Sequence, residues 1–249
     1  MKSFIRRTLA QTLTVCALSW GAIAAIESVS TRPAFALSEQ EIATRLATVP
    51  GFVIGVGENL VSYPVGQAEG ETAENHIVPV FMTRQEAEKY ITESRTREDL
   101  PALPPEAVVV SRSLQYLYTL EQTSQTEGDR KLNLFYVPEP EEVQQATSLN
   151  AEFSQGVPLF YPQFEDGSIV SINQNNGESI FPMFFSREDL DSLLTDLNSR
   201  SSEARGVIQV GVVPLEFLIN QMRTTEDDTF DQVRLLPASD VVNDIQRNQ

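Results

Sequence analysis

The chain has 249 residues, with 35 acidic against 18 basic side chains, a net charge of −17 and a pI near 4.4. A field of that sign repels phosphate backbones and anionic headgroups, which argues against nucleic acid and anionic membrane surfaces as partners. One cysteine and one histidine leave no room for a disulfide or an ordinary zinc site, and neither a metal nor a cofactor is expected.

The first element in chain order is an export leader. Lys2, Arg6 and Arg7 form a basic start, an uncharged run extends from Thr8 to Ile26, and Ala34-Phe35-Ala36 supplies a small-x-small cleavage pattern. Cleavage is expected between Ala36 and Leu37. Thr8, Gln11, Thr12, Thr14 and Ser19 dilute the run as a membrane anchor. Val15 ahead of Cys16 argues against lipidation, and Arg6-Arg7 alone suggests twin-arginine export. Removing the leader takes Lys2, Arg6, Arg7, Arg32 and Glu27, leaving a cysteine-free mature chain near −20. That mature chain is not expected to insert into a membrane.

Ser38 and Glu41 have capping-box spacing ahead of Ile42, Leu46 and Val49, which predicts a first helix. GFVIGVGENLVSYPV (51–65) reads as two short strands and 66–75 as an acidic loop. VPVFMTRQEAEKYI (78–91) is an apolar strand entering a helix. Thr83 and Glu86 are spaced as a cap, the hydroxyl bonding the helix and the acid reaching back, while Ala87, Tyr90, Ile91 and Ser94 share one face. VVVSRSLQYLYTLEQ (108–122) is a β-branched strand running into another helix, and Leu132 to Pro138 a closing strand.

The series then recurs. Pro140 to Phe153 supplies a helix as the counterpart of the first. VPLFYPQFEDGSIVSI (157–172) reads as a hairpin, Val157 to Tyr161 and Ser168 to Ile172, about Glu165-Asp166-Gly167. Asn175-Asn176-Gly177 is a further turn. FPMFFSREDLDSLL (181–194) matches 78–91 at a shift of 103, pairing Pro79 with Pro182, Phe81 with Phe184, Thr83 with Ser186 and Arg84 with Arg187. Val210 to Met222 matches the second strand–helix junction at a shift near 101, and Val233 to Pro237 the closing strand. A proline in each apolar strand suggests an edge or a strand start. Matching segments in constant order predict a duplicated α/β fold of two pseudosymmetric units, with sheets flanked by helices. The expected division is leader 1–36, first unit 37–138, second unit 139–237 and tail 238–249.

No catalytic motif accompanies these elements, and the chain is not expected to be an enzyme. His76 has no G-x-S-x-G elbow to serve. Glu165 and Asp166 beside Gly167 read as turn formers, the run Glu226 to Asp231 lacks a calcium-loop pattern, and no Gly-rich nucleotide loop is present. A carboxylate dyad across a cleft is the hydrolytic arrangement that composition would still permit. More conspicuous are Phe160, Tyr161, Phe164, Phe181, Phe184 and Phe185, which either fill a core or wall a groove.

The set VPVFMTRQEAEKYI, GVPLFYPQ and IFPMFFSREDLDSLLTDL, ending in GVIQVGVVPLEFLINQM after a cleavable leader, resembles the Tic-twenty-two family. That family is named for a subunit associated with the translocon at the inner envelope of chloroplasts. The resemblance spans about Leu37 to Pro237. It implies a two-fold pseudosymmetric α/β molecule with an apolar groove on either side, no cofactor and no catalytic residues. The implied role is that of an ATP-independent holdase in protein transport and outer-membrane β-barrel biogenesis. Its partners would be unfolded outer-membrane precursors and the Omp-type assembly machinery, in the periplasm or thylakoid lumen. A short bacterial-type leader points to the cyanobacterial-like branch. By position, Val78, Val80, Phe81, Phe181, Met183, Phe184 and Phe185 match the aromatic strand motif, and Leu114, Leu117, Leu215 and Leu218 the second helix stripe. These are the candidate client-binding residues. The alternative is an adaptor or scaffold docking on an import or outer-membrane assembly complex.

Overall fold

The computed structural model describes residues 36–65, 74–126, 130–174, 177–200 and 208–247. Most of the leader, most of the acidic loop and Asn175-Asn176 lie outside those residues. The first half of the chain runs α1 (Glu39–Arg45), β1 (Pro50–Val56), β2 (Asn59–Leu60), β3 (Tyr63–Val65), β4 (Glu74–Phe81), α2 (Arg84–Ser94), β5 (Val108–Ser113), α3 (Leu114–Thr126) and β6 (Arg130–Val137). The second runs α4 (Pro140–Leu149), β7 (Pro158–Phe164), β8 (Ile172–Asn173), β9 (Ser179–Phe184), α5 (Arg187–Arg200), β10 (Ile208–Pro214), α6 (Leu215–Thr224), a 3-10 turn (Asp228–Gln232), β11 (Val233–Leu236) and α7 (Ser239–Arg247).

Two helix-flanked sheets carry one pairing scheme. In the first, β5 pairs antiparallel with β1, β1 antiparallel with β4, and β4 parallel with β6. In the second, β10, β7, β9 and β11 repeat that order and those directions. Each sheet forks at its middle: β1 meets β4 only at Phe52 and Phe81, and β7 meets β9 only at Phe160 and Phe184. Beyond those pairs β2 and β3, or β8, line the gap.

The fork explains the prolines and corrects their expected place. Pro79 is the sixth of eight residues in β4, which has neighbours on both sides, so it is neither at an edge nor at a strand start. Met82 N–H donates to Val137 O, so by alternation Pro79 is directed away from β6, into the gap between the Ile77–Tyr63 and Phe81–Phe52 pairs. Pro182 occupies the same gap between Ile180 and Phe184, with Phe185 N–H donating to Leu236 O. A missing N–H costs nothing where no strand stands opposite.

Helix caps follow the hydroxyls but not all of the acids. Ser38 and Glu41 form a complete capping box. Thr83 and Ser186 accept from the N–H groups of Glu86 and Asp189 at 3.3 Å each. Glu86, however, pairs with Lys89 at 3.3 Å, and Asp189 accepts from Ser239 N–H at 2.8 Å, capping α7 instead of its own helix. The expected hairpin turn is present, with Gly167 at φ 80° and Phe164 N–H donating to Ser168 O at 2.9 Å. Its second arm shrinks to one bridge and the two residues of β8.

Side-chain alternation assigns each strand two faces. Outward, Phe52 and Phe81 pack under Ala87 and Ile91 of α2, while Phe160 and Phe184 pack under Ala146 of α4 and Leu190 of α5. Inward, Val53, Val80, Leu159 and Met183 share one central core with Leu117 of α3, Leu218 of α6 and Ile42 of α1. The helix after each parallel closing strand crosses to the other sheet: α4 follows β6 yet covers the second sheet, and α7 follows β11 yet buries Val241 against Phe52. Arg84 holds α7 through Asp244 at 2.9 Å. α4 therefore corresponds in connection and packing to α7, not to α1 as the repeat suggested. With the outer face of the first sheet taken by α2 and α7, Ile42 and Leu46 of α1 enter the central core.

Candidate functional site

The strongest candidate is an apolar cavity of about 80 Å³ on the inner face of the second sheet. β7 supplies Tyr161, β9 supplies Phe181 and Met183, α6 supplies Phe217 and Leu218, and the 3-10 turn closes it with Phe230. Its size follows from spacing on α6: Leu215, Leu218, Ile219 and Met222 form the buried stripe, which leaves Phe217 at the rim, 50% exposed. Burial pushes the Tyr161 hydroxyl up to about 12, so it stays neutral beside that lining. The space holds about one large apolar side chain, several times what a single water needs. An open apolar trough also lies on the opposite face, where Ile172 of β8, Pro182 and Phe184 of β9 and Leu193 of α5 meet at the fork.

The eleven candidate client-binding residues are all buried: Val78, Val80, Phe81, Phe181, Met183, Phe184, Phe185, Leu114, Leu117, Leu215 and Leu218. Phe181, Met183 and Leu218 line the cavity, Phe184 lines the trough, and Phe185 lines a narrow cleft between the two halves. The other six pack within the core clusters. Among the described residues the exposed aromatics are instead Phe217, Tyr116, Phe135 and Phe164, none of them among those eleven. Tyr116 and Phe217 occupy matching positions, one residue before Leu117 and Leu218. Two exposed rings at the same offset in a repeated helix could have been found from the sequence repeat. The rims differ: the Arg112 guanidinium lies 5.9 Å over Tyr116, where the second half has Val213 beside Phe217.

Polar groups mark the seam between the halves. Arg223 of α6 donates to Tyr118 OH at 2.8 Å and Glu39 Oε1 at 3.0 Å, and Tyr118 donates to Glu39 Oε2. Glu121 accepts from Leu134 N–H at 2.8 Å and Glu216 from Val157 N–H at 3.2 Å. Burial raises the pKa of both. The Tyr136 hydroxyl is buried with no hydrogen-bond partner among the described residues, and burial holds it well above its ordinary value. Glu142 of α4 accepts from Arg187 N–H at 3.2 Å; burial, with repulsion from Glu139 and Glu141, pushes it up to about 7.

His76, buried on the inner face of β4, has Ser62 Oγ 3.0 Å from Nδ1 and Glu74 Oε2 3.4 Å from Nε2. Partners at both ring nitrogens meet the demand of a buried imidazole. Among the described residues no group of three His, Cys, Asp or Glu side chains could hold a metal, and no helix is long and apolar enough to cross a membrane.

A two-sheet α/β fold with helices on its faces is the class that these features define, and solved structures share that fold. Anabaena Tic22, a protein-transport protein, superposes with a TM-score of 0.71 at 22% identity, covering 85% of this chain and 97% of that one. Tic22 from Plasmodium falciparum superposes with a TM-score of 0.62 at 17% identity, covering 83% and 96%. A comparison with curated proteins finds no match. The sequence matches the Tic22-like family over residues 4–247, and the chain belongs to that family.

Proposed function

We propose that the chain acts in protein transport as an exported, ATP-independent holdase for extended segments of outer-membrane β-barrel precursors. In this reading the Omp-type assembly machinery is the acceptor, and the periplasm or thylakoid lumen the compartment. The observation that carries the proposal is the cavity rimmed by half-exposed Phe217 on a chain of net charge −17. One apolar client side chain enters at a time, and contacts of roughly 25 cal/mol per Å² without directional demands let clients exchange. The charge keeps the complex dispersed. Anabaena Tic22 is a protein-transport protein, which is consistent with this role. The repeated pairing scheme also favours an origin by duplication, with halves near 37–138 and 139–237.

Burial of the strand and helix candidates favours a second reading, in which a folded partner inserts a single side chain and the chain is an adaptor. Dilution of a urea-denatured β-barrel protein into buffer, followed by light scattering, separates the two. The holdase suppresses aggregation at near-stoichiometric amounts, and Phe217→Glu loses most of that suppression while remaining folded. Scattering equal to that with a folded acidic control removes the holdase reading and leaves the adaptor.

A further inference from the structure

The cleavage site expected from the leader coincides with a contact that changes character when the peptide bond is cut. Leu37 N donates to Met222 O at 3.0 Å, and its side chain packs against the central core. Met222 lies in the last turn of α6, where carbonyls lack intrahelical donors and the helix carries partial negative charge. The residues that follow Leu37 form a strap across both halves. Glu39 binds Arg223, Arg45 reaches Asp231 at 3.3 Å, and Thr48 donates to Leu235 O at 3.3 Å.

We infer that removal of the leader completes this strap: hydrolysis of the Ala36–Leu37 bond consumes one water, frees a carboxylate on the leader, and creates an α-ammonium at Leu37 that caps α6. The precursor has a neutral amide at that atom, the mature chain a cation with three donors. Charged or titratable groups on the surrounding elements are Glu39 and Glu41 on α1, Arg223 on α6 and Tyr118 on α3. Arg223 is already paired with Glu39, so its charge opposes the ammonium only in part. Maturation thus tightens the strap that joins the halves. Before cleavage the halves are held less firmly, which suits a chain awaiting export. The inference rests on the export reading and is independent of client binding.

Two chains test it, one beginning at Leu37 and released from a fusion without extra residues, the other beginning at Phe35. At about pH 6.5, below the ordinary α-amino range of about 7.7–8.0, the Leu37 chain should show a folding equilibrium constant about two- to fivefold higher in urea titrations. The bound ammonium has a raised pKa, so the advantage is full below the unfolded value and disappears as pH rises through the folded one, by about pH 10. Acetylating the Leu37 α-amine should reproduce the Phe35 chain. Equal urea midpoints at both pH values, or an acetylated chain as stable as the free one, overturn the cap. The mass of the chain exported from a bacterial host tests the processing separately. A start at Leu37 supports the maturation step, and any other start overturns it whatever the stability comparison gives.

Discussion

Replacing Glu142 with glutamine should stabilise the protein near pH 8 and leave it almost unchanged near pH 4, a window set by the pKa of this side chain. The carboxylate accepts the Arg187 N–H at the start of α5, but burial pushes its pKa from 4.5 to about 7. The folded state therefore binds the proton more tightly than the unfolded state. Its contribution to stability is full below about pH 4.5 and is lost as pH rises through about 7. The shift of about 2.5 sets a ceiling of roughly 3 kcal/mol at about 1.4 kcal/mol per pH unit. Partial exposure screens the charge, which lowers the expected gain to about 1–2 kcal/mol. Glutamine keeps an acceptor oxygen for Arg187 and carries no charge. Urea titrations at several pH values from about 5 to 8 measure the difference, which should grow across that range. A constant difference, or a variant less stable near pH 8, would refute the assignment of burial as the cause.

Phe160, fully buried between the second sheet and α4, should cost about 3–5 kcal/mol when cut to alanine, whereas half-exposed Phe217 should cost less than about 0.5. Comparable costs in urea unfolding would contradict the division between core and rim. Gly211 lies against the Tyr161 ring, and a Cβ there would stand 2.4 Å from Tyr161 Cζ. Gly211→Ala should therefore displace the ring towards the cavity, lower stability by about 1–3 kcal/mol and weaken binding of an apolar fluorescent probe. An unchanged probe affinity would show that the ring moves elsewhere.

Much of the secondary structure was legible because it is written locally. The hydroxyls of Ser38, Thr83 and Ser186 cap α1, α2 and α5 as their spacing predicts, and Gly167 makes its turn. These depend on residues within one or two turns of chain. Matching strand–helix junctions also foretold elements that enter the two sheets in the same order. The candidate site was legible only in outline. A run such as IFPMFF says that much apolar surface must be covered, yet period-two alternation cannot say which helix covers each face. α4 follows the last strand of the first sheet but packs on the second, and α7 follows the last strand of the second but packs on the first, so Phe184 lies under Ala146 as well as Leu190, and Phe52 under Val241 as well as Ala87.

By itself the sequence determined the caps, the turns, the order of strands and helices, the acidic charge and the family resemblance, because short-range sterics, hydrogen bonding and composition are properties of neighbouring residues. Tertiary structure alone decided that Pro79 and Pro182 stand at forks, that α1 joins the central core, and that the phenylalanines of β9 are buried. Those outcomes depend on which apolar faces remain uncovered after both sheets and the crossing helices have packed. That competition for a shared core involves residues far apart in the chain, so no local pattern encodes its result.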